Sequence, residues 1–353
     1  MIVEGALVDA EGARPGYARV ERGRVVEVGQ GGTDSTHGRE RRLRGIVVPR
    51  PVNAHTHLGD AMFGREPPWT TFDEIVRPPD GAKFRLLATT PARVKVAAMR
   101  AELRRLEQLG HGAVIDFREE GVPGARWFRS AASHRALVTF LFGRPVRRPL
   151  DPKELAALLE VADGVGLSGI GEEPAPTRRI IAEACRARGK RYALHASEGV
   201  REPVEEYLDP RPDLLVHLTA AADDDLRQVV EAAVPVAVNS RSNALFGRRP
   251  DFARLRDLGV TTLLGTDNAM LNAPSIWREL EFAYVSARLA GRPIEPEFLF
   301  RAAFVNPWAW LGKPDHARIA PDSPAAPLVL RLPPDDPTYQ IVTRVTESVM
   351  VRT

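Results

Sequence analysis

The chain has 353 residues, of which 44% are hydrophobic and 27% charged, with a formal net charge of +3 at pH 7, a composition typical of globular proteins. No apolar run approaches the roughly 20 residues of a membrane-spanning helix, and basic residues are interspersed with acidic ones, so neither a membrane protein nor a nucleic-acid-binding protein is expected. A single cysteine, Cys185, excludes an internal disulfide, and the N-terminus lacks a signal-peptide pattern, so a cytoplasmic protein is expected.

The first 44 residues predict short β-strands. Residues 2–8 form one candidate strand, and residues 18–29 form a hairpin with Arg22 and Gly23 at its centre. A turn of this kind requires positive φ angles, which glycine adopts without steric cost. From residue 31 onward the stretch is polar and predicts a loop.

From residue 45 the pattern changes to short apolar runs separated by longer helical stretches. Eight runs predict strands, at residues 45–48, 112–117, 136–142, 164–170, 191–195, 213–217, 234–239 and 260–267. Between them, stretches such as 223–233 place apolar residues on one helical face. Buried strands separated by helices indicate a parallel sheet, and eight such units favour a closed (β/α)₈ TIM-type barrel over an open, doubly wound sheet.

After a helical stretch at 275–312, the pattern returns to strands at 328–332 and 340–351. The simplest assembly pairs the two chain termini beside the barrel. We therefore predict two units: a barrel over residues 45–314, and a small β-sandwich domain formed by residues 1–44 and 315–353.

Ionisable residues stand at the ends of four predicted barrel strands. His55 and His57 follow the first strand, His195 ends the fifth, His217 ends the sixth and Asp267 ends the eighth. The carboxyl ends of barrel strands meet at one mouth, where the catalytic groups of barrel enzymes lie. Imidazole and carboxylate together suit Zn²⁺, Fe²⁺ or Mn²⁺, and an open coordination position would bind and acidify a water molecule.

Each of these residues alone also has a purely structural interpretation. A His-x-His pair arises by chance, single buried histidines pack in protein cores, and an aspartate after a strand caps a helix or turn. Their shared register in one barrel favours a site instead. The other histidines lack this placement and are assigned no role: His37, His111, His134 and His316.

The chain resembles the amidohydrolase superfamily, on the branch of cytosine deaminase, methylthioadenosine/S-adenosylhomocysteine deaminase and the triazine chlorohydrolases. The resemblance covers nearly the whole chain. It rests on the motifs at residues 53–57, 195–198, 216–217, 239–243 and 265–268. It implies that His55, His57, His195 and Asp267 bind one divalent metal ion, with zinc the first candidate and iron or manganese as alternatives.

The same resemblance assigns the proton transfers. Asp267 is expected to take a proton from the metal-bound water, and Glu198 to deliver a proton to the leaving group or a ring nitrogen. His217 is expected to orient the resulting hydroxide. Glu198 lies three residues past His195, in the loop above the metal, where an enclosed site would raise its pKa and suit it to act as an acid.

The number of metal ions is predicted from an absence in the sequence. Dinuclear relatives use a carbamylated lysine at the fourth strand, whereas residues 164–173 contain no lysine. Glu172 or Glu173 could replace that lysine, so a single metal ion is favoured with this alternative left open.

Substrate contacts are expected in the loops after the first three barrel strands. Arg65, Trp69 and Phe72 follow the first strand, Arg118 follows the second and Arg144 the third. Aromatic side chains there could stack on a planar ring, although packing of the loop onto the barrel would employ the same residues.

These observations predict hydrolytic deamination of a nitrogen heterocycle, such as a purine, pyrimidine or pterin, by a metal-bound hydroxide. Residues 268–272 differ from the small-residue run expected of adenosine-type deaminases, so the substrate is left open. The alternative is hydrolysis of a cyclic amide, as in imidazolonepropionase, or of a carbon–halogen bond at the same mononuclear site. A non-catalytic binding protein is disfavoured by the intact ligand set and by Glu198. The expected partner is a small-molecule substrate, and a homo-oligomer is left open.

Overall fold

A computed structural model describes residues 1–31, 41–63, 71–76, 81–321, 323–324, 326–346 and 350–351. Within these ranges the strands form one sheet of six strands and one of nine strands. The larger sheet and its helices form a (β/α)₈ barrel, and the smaller sheet unites both chain termini, which confirms the predicted fold class. Among the helices of these ranges, none is long and apolar enough to cross a membrane.

The strands, in chain order, are β1 (Ile2–Asp9), β2 (Gly12–Glu21), β3 (Arg24–Gly29), β4 (Arg42–Val48), β5 (Val52–His57), β6 (Ala113–Arg118), β7 (Val138–Gly143), β8 (Gly164–Leu167), β9 (Arg191–Ala196), β10 (Leu214–His217), β11 (Val236–Val238), β12 (Thr262–Leu264), β13 (Asp267–Asn268), β14 (Leu328–Leu330) and β15 (Met350–Val351). The helices are α1 (Phe72–Val76), α2 (Ala82–Thr89), α3 (Ala92–Gln108), α4 (Gly121–Ala132), α5 (Pro152–Val161), α6 (Ala175–Arg186), α7 (Val204–Leu208), α8 (Asp223–Glu231), α9 (Ser240–Leu245), α10 (Phe252–Asp257), α11 (Ile276–Leu289), α12 (Pro296–Phe304), α13 (Asn306–Trp310) and α14 (Pro337–Arg344).

The smaller sheet has the strand order β15-β14-β4-β1-β2-β3. β1 and β4 are parallel, and the other neighbours are antiparallel. The predicted hairpin is confirmed: β2 and β3 are joined at Arg22 and Gly23, whose φ angles are 49° and 75°. Both angles are positive, as a two-residue turn matching the strand twist requires.

The barrel strands are parallel and run in the order β12-β11-β10-β9-β8-β7-β6-β5-β13. β12 and β13 are two parts of the eighth barrel strand, separated by Gly265 and Thr266. β13 pairs with β5, and the Thr266 amide donates to the His55 carbonyl at 3.0 Å, so the sheet closes on itself. This closure brings Asp267 to the strand that carries His55 and His57.

One predicted strand belongs to the other sheet. Residues 45–48 were expected to begin the barrel, but they end β4, which pairs with β1 and β14 of the smaller sheet. Pro49 and Pro51 separate β4 from β5, and proline cannot donate to a sheet ladder. The first barrel strand is therefore β5, so His55 and His57 lie within a strand rather than after it.

The tail also differs from its prediction. Residues 340–351 were expected to be strands. Residues 337–344 form α14 instead, whereas Met350 and Val351 form β15 as expected. Ile341 and Val342 are buried, and α14 packs against α11 and α12 of the barrel. The β-branched residues of this segment favour a strand locally, but burial of one helical face decides its conformation.

Candidate metal centre

The side chains of His55, His57, His195 and Asp267 converge at the carboxyl end of the barrel strands. The Nε2 atoms of His55 and His57 lie 3.3 and 3.5 Å from Oδ1 of Asp267. The Nε2 atom of His195 lies 3.3 Å from Nε2 of His55. All four side chains are buried. Three imidazole nitrogens and a carboxylate oxygen therefore face one small volume, a donor set that suits a divalent ion such as zinc.

The backbone explains how the strands supply these side chains. His55 and His57 are two residues apart on β5, and alternate residues of a strand point to the same face. A Cβ atom at Gly265 would lie 2.6 Å from Cβ of His55, so only glycine leaves room for that histidine. Asp267 has a φ of 64°, a left-handed conformation that aspartate tolerates better than most residues.

Two of the imidazoles are held in a defined tautomer. The Nδ1 atom of His195 lies 2.7 Å from the Leu167 carbonyl oxygen, which can only accept, so Nδ1 carries the proton. The Nδ1 atom of His57 lies 2.9 Å from Oε1 of Glu119, and this close carboxylate favours a proton on Nδ1. Each ring therefore presents an unprotonated Nε2 to the shared volume, as metal-binding histidines do.

The electrostatic environment of the site favours neutral histidines and an ionised Asp267. Burial, reinforced by the nearby Lys83 ammonium, lowers the pKa of His57 to about 3. Burial also lowers the pKa values of His55 and His195. Burial opposes ionisation of Asp267, but its contact with His55 and the neighbouring imidazoles outweigh that effect and hold its pKa well below the usual value. Histidine binds a cation in its neutral form and aspartate in its ionised form, so these side chains are in the states that metal binding requires.

His217 and Glu198 face the same volume. The Nε2 atom of His217 lies 3.5 Å from Oε2 of Glu198. Its Nδ1 atom lies 3.4 and 3.3 Å from the side-chain amide nitrogens of Asn239 and Asn243, which can only donate. The His217 proton is therefore on Nε2, which points toward Glu198.

Glu198 is a carboxyl group that keeps its proton near neutral pH. Burial, together with the negative charge of Asp267, raises the pKa of Glu198 to about 8, although Arg248 acts in the opposite direction. The Arg248 guanidinium lies 3.3 Å from Oε1 of Glu198 and over the ring of Phe72, 4.2 Å from its centroid. A carboxylic acid in this state can donate a proton, as a general acid requires.

Several residues around Asp267 received no role from the sequence. Ser242 Oγ donates to Oδ2 of Asp267 at 2.7 Å, and the Asn268 amide donates to Oδ1 at 2.8 Å. Both residues belong to motifs that carry the family resemblance, as do Asn239 and Asn243. The sequence therefore singled out these positions but did not indicate what their side chains do. These hydrogen bonds fix the orientation of the carboxylate.

Lys83 and Asp60 had no signal in the sequence, and they belong to a second group of buried residues. Lys83, Glu119 and Asp60 are buried next to His57, and Lys83 lies 2.5 Å from Oε1 of Glu119. Arg118, a predicted substrate contact, also lies in this group: its guanidinium contacts Glu119 and lies 3.4 Å from Oδ2 of Asp116. The substrate role of Arg118 stays a prediction, and the structure places its charge against these two carboxylates.

Phe72 and Arg144, the other predicted pocket residues that the structure describes, have different neighbours. Phe72 packs edge-on against Phe246, with ring centroids 5.0 Å apart. Arg144 is buried with its guanidinium 5.9 Å from the ring centroid of Phe84 and 3.7 Å from Glu172. Arg65 and Trp69 lie outside the described residues.

Glu172 and Glu173 are not placed with the histidines. Arg148 lies 2.6 Å from Glu172 and 2.7 Å from Glu173. Among the described residues, the side-chain groups that could hold a metal ion include neither glutamate. These contacts support the prediction of one metal ion without testing it.

Comparisons with known proteins agree on the family. A sequence model described as the Amidohydrolase family matches residues 46–352. A proposed aminohydrolase of Methanothermobacter thermautotrophicus is 34% identical over 324 residues, 86% of this chain and 83% of that protein. An uncharacterized protein of Methanocaldococcus jannaschii is 31% identical over 306 residues, 80% of this chain and 78% of its own length.

Solved structures agree on the fold. An adenosine deaminase from Xanthomonas campestris with bound zinc has a TM-score of 0.80 at 14% identity, covering 99% of this chain and 90% of that one. Escherichia coli guanine deaminase has a TM-score of 0.79 at 16% identity, covering 100% and 97%. Atrazine chlorohydrolase from Arthrobacter aurescens, complexed with zinc, has a TM-score of 0.80 at 16% identity, covering 98% and 92%. At these identities the likeness concerns the fold, not the substrate.

Proposed function

This chain belongs to the amidohydrolase family, and on that premise we propose that it is a metal-dependent hydrolase that deaminates a nitrogen heterocycle, such as a purine, pyrimidine or pterin. One observation carries the proposal: ligand-type atoms of Glu198, His217 and Asp267 all lie within 4.8 Å of one another. A protonated carboxyl group, an imidazole and an ionised carboxylate thus face one reaction volume, as acid–base hydrolysis requires.

We propose His55, His57, His195 and Asp267 as the ligands of one divalent ion per chain, with zinc as the first candidate. Their donor atoms and neutral imidazoles fit that ion. An ion bound there would lower the pKa of a coordinated water toward neutrality and polarise the substrate.

The protein side chains then divide the proton transfers. Asp267 is ionised and held by Ser242 and Asn268, so it can accept the proton of the attacking water. Glu198 carries a proton that it can deliver to a ring nitrogen or to the departing amino group. The Nε2–H of His217 points toward Glu198 in the same small volume, so it can donate a hydrogen bond that orients the attacking oxygen.

The site also offers a surface for a planar ring. The Arg248 guanidinium lies over the ring of Phe72 and beside Glu198, and Phe246 packs edge-on against Phe72. We propose Phe72 as a substrate contact on this ground, because an aromatic ring close to Glu198 is a suitable neighbour for a planar heterocycle. Contacts by Arg65, Trp69, Arg118 and Arg144 stay predictions.

The test is ammonia release from a panel of purines, pyrimidines, pterins and amino-triazines by zinc-loaded protein. We expect at least one compound to release ammonia, and a chelator to stop the reaction. The panel also includes cyclic amides and chlorotriazines, assayed by ring opening and halide release. Turnover of those compounds without ammonia release would replace deamination by the alternative hydrolysis, and no turnover on any compound would contradict the proposal.

A further inference from the structure

Lys83 is a buried lysine on α2, with 3% of its surface exposed, in the segment that follows the first barrel strand. Its ammonium reaches toward the proposed metal centre. Nζ lies 2.5 Å from Oε1 of Glu119 and donates to Oδ1 of Asn268 at 2.8 Å. It also lies 3.5 Å from Oδ2 of Asp60. The ammonium therefore makes one hydrogen bond, to Asn268, and lies against two carboxylates from other parts of the chain.

The first connection leads to His57. Oε1 of Glu119 lies 2.9 Å from Nδ1 of His57, so the lysine and the imidazole share one carboxylate oxygen. The other oxygen contacts Arg118. The Glu119 carboxylate therefore lies between the Lys83 ammonium and the Arg118 guanidinium while it faces Nδ1 of His57, so the position of Lys83 is transmitted to that imidazole.

The second connection leads to Asp267. The Asn268 side chain accepts from Lys83 through Oδ1 and donates to Oδ1 of Asp267 through Nδ2, at 2.8 Å in each case. An amide has one accepting and one donating end, and the lysine binds the accepting end, which leaves the donating end for the aspartate. Rotation of the amide by half a turn would set its oxygen against Asp267 and its NH₂ group against the Lys83 ammonium, so both neighbours oppose it.

From these two connections we propose that Lys83 is a positioning residue for the metal centre, orienting His57 through Glu119 and Asp267 through Asn268. The proposal rests on the proposed function, because it requires His57 and Asp267 to bind the metal. The proposal predicts the opposite change in metal affinity from the one that charge repulsion alone would give. A cation that merely stood near the site would repel the metal ion, so its removal would tighten metal binding, whereas loss of a positioning residue weakens it.

The chain offers a matched control in Lys95 on α3. Lys95 is equally buried, with 3% of its surface exposed. It contacts Glu120, the residue after Glu119, donates to the Leu87 carbonyl at 2.9 Å and lies 4.4 Å from the ring centroid of Trp127. None of these described partners contacts a proposed metal ligand. Lys95→Met therefore reproduces the loss of a buried lysine–glutamate pair away from the metal centre.

The experiment compares wild-type protein, Lys83→Met and Lys95→Met after removal of metal with a chelator. Zinc affinity is measured by competition with a chromophoric chelator, and the geometry of the ligands by the visible absorption spectrum of the cobalt(II)-substituted proteins. We expect Lys83→Met to bind zinc about 10- to 100-fold more weakly and to change the cobalt spectrum. Lys95→Met should keep the wild-type affinity and spectrum while losing thermal stability.

The outcomes separate this proposal from the function on which it rests. Zinc affinity in Lys83→Met equal to or tighter than wild type, with an unchanged cobalt spectrum, would overturn the role of Lys83 alone. Wild-type protein that binds no zinc would contradict the metal centre and the role of Lys83 together. Should Lys83→Met fail to fold, Asn268→Ser removes the second connection and leaves the lysine–glutamate pair in place. Weaker zinc binding by Asn268→Ser supports the proposal, and unchanged binding overturns it.

Discussion

Two buried histidines at opposite ends of the barrel strands, His195 and His111, share most of their properties. His195 lies near the carboxyl end of β9, and His111 lies just before the first residue of β6. Each ring contacts a backbone carbonyl through Nδ1, that of Leu167 at 2.7 Å and that of Leu106 at 3.2 Å. Burial lowers the pKa of both residues. Neither burial, tautomer nor pKa therefore distinguishes the two.

The difference lies in the second ring nitrogen. Nε2 of His111 accepts the backbone N–H of Ile276 at 3.2 Å, so both nitrogens of that ring are used by the fold. Nε2 of His195 faces Nε2 of His55 instead, at 3.3 Å, so its neighbour is another proposed ligand and not a backbone group. A proposed ligand histidine is therefore distinguished by a ring nitrogen that, within the described residues, makes no hydrogen bond to the backbone and faces the other proposed ligands. Burial alone does not distinguish it.

The largest effect should come from replacing each of these histidines. We expect His195→Ala to lose most of its zinc and nearly all activity, because it removes one of the four proposed ligands. His111→Ala should keep a full complement of zinc but lose about 1–3 kcal/mol of unfolding free energy, since the Ile276 amide is left without its acceptor. Elemental analysis and chemical denaturation measure the two quantities. Equal zinc content in the two variants would remove the distinction between the histidines.

The next effect concerns proton transfer by Glu198, at the carboxyl end of the barrel strands. Glu198→Gln keeps the size of the side chain but cannot cycle a proton, so kcat should fall roughly 10²- to 10⁴-fold with normal zinc content. Glu202→Gln is the control, because Glu202 accepts the Ser197 amide at 2.7 Å in the same loop and has no proposed part in the chemistry. Full turnover by Glu198→Gln would mean that another group supplies the proton.

A smaller effect is expected in the apolar interior of the barrel. Leu214, the first residue of β10, is fully buried in a cluster with Ile115, Phe142 and Ala237. Leu214→Ala should lower the unfolding free energy by about 2–5 kcal/mol, because it leaves a cavity, while zinc content stays at the wild-type level. Val200→Ala, at a side chain that is 73% exposed, is the neutral control. Loss of zinc from folded Leu214→Ala would show that the two ends of the barrel are not independent.

The sequence predicted those parts of the molecule whose pattern is local. The runs that became β6 to β12 and the hairpin at Arg22–Gly23 have periodicities and turn residues that act within a few positions. The site residues were predicted because motif residues at strand ends meet at one mouth of a barrel. Their geometry agrees with the predicted ligand set, and their roles await experiment.

The parts that escaped prediction depend on distant contacts. Lys83 and Asn268 are separated by 185 positions, and no local pattern indicates that this lysine of α2 is buried against that asparagine. α14 carries β-branched residues and is helical because Ile341 and Val342 are buried against the barrel helices. Residues 45–48 are apolar enough for either sheet, and only the pairing with β1 assigns them. Sequence periodicity carries none of this information.

The smallest effect tests the structural histidine through pH. In the folded protein burial lowers the pKa of His111 to about 4, whereas the unfolded value is about 6.5. Below pH 6.5 the unfolded chain therefore binds a proton that the folded protein does not, because protonation of Nε2 would break the bond from Ile276. The stabilising effect of the neutral ring is complete above pH 6.5 and is lost as the pH falls toward 4.

At pH 5 this linkage amounts to about 2 kcal/mol relative to pH 8. Glutamine can donate and accept at the same place but does not titrate, so His111→Gln should remove this part of the acid sensitivity. The unfolding free energies of wild type and His111→Gln are measured by urea denaturation at both pH values. The wild-type value minus the variant value should be about 2 kcal/mol smaller at pH 5 than at pH 8. Other buried histidines titrate in both proteins and cancel in this difference. A difference that does not change with pH would show that His111 titrates alike in the folded and unfolded states, and its hydrogen bond to Ile276 would then not hold the ring neutral.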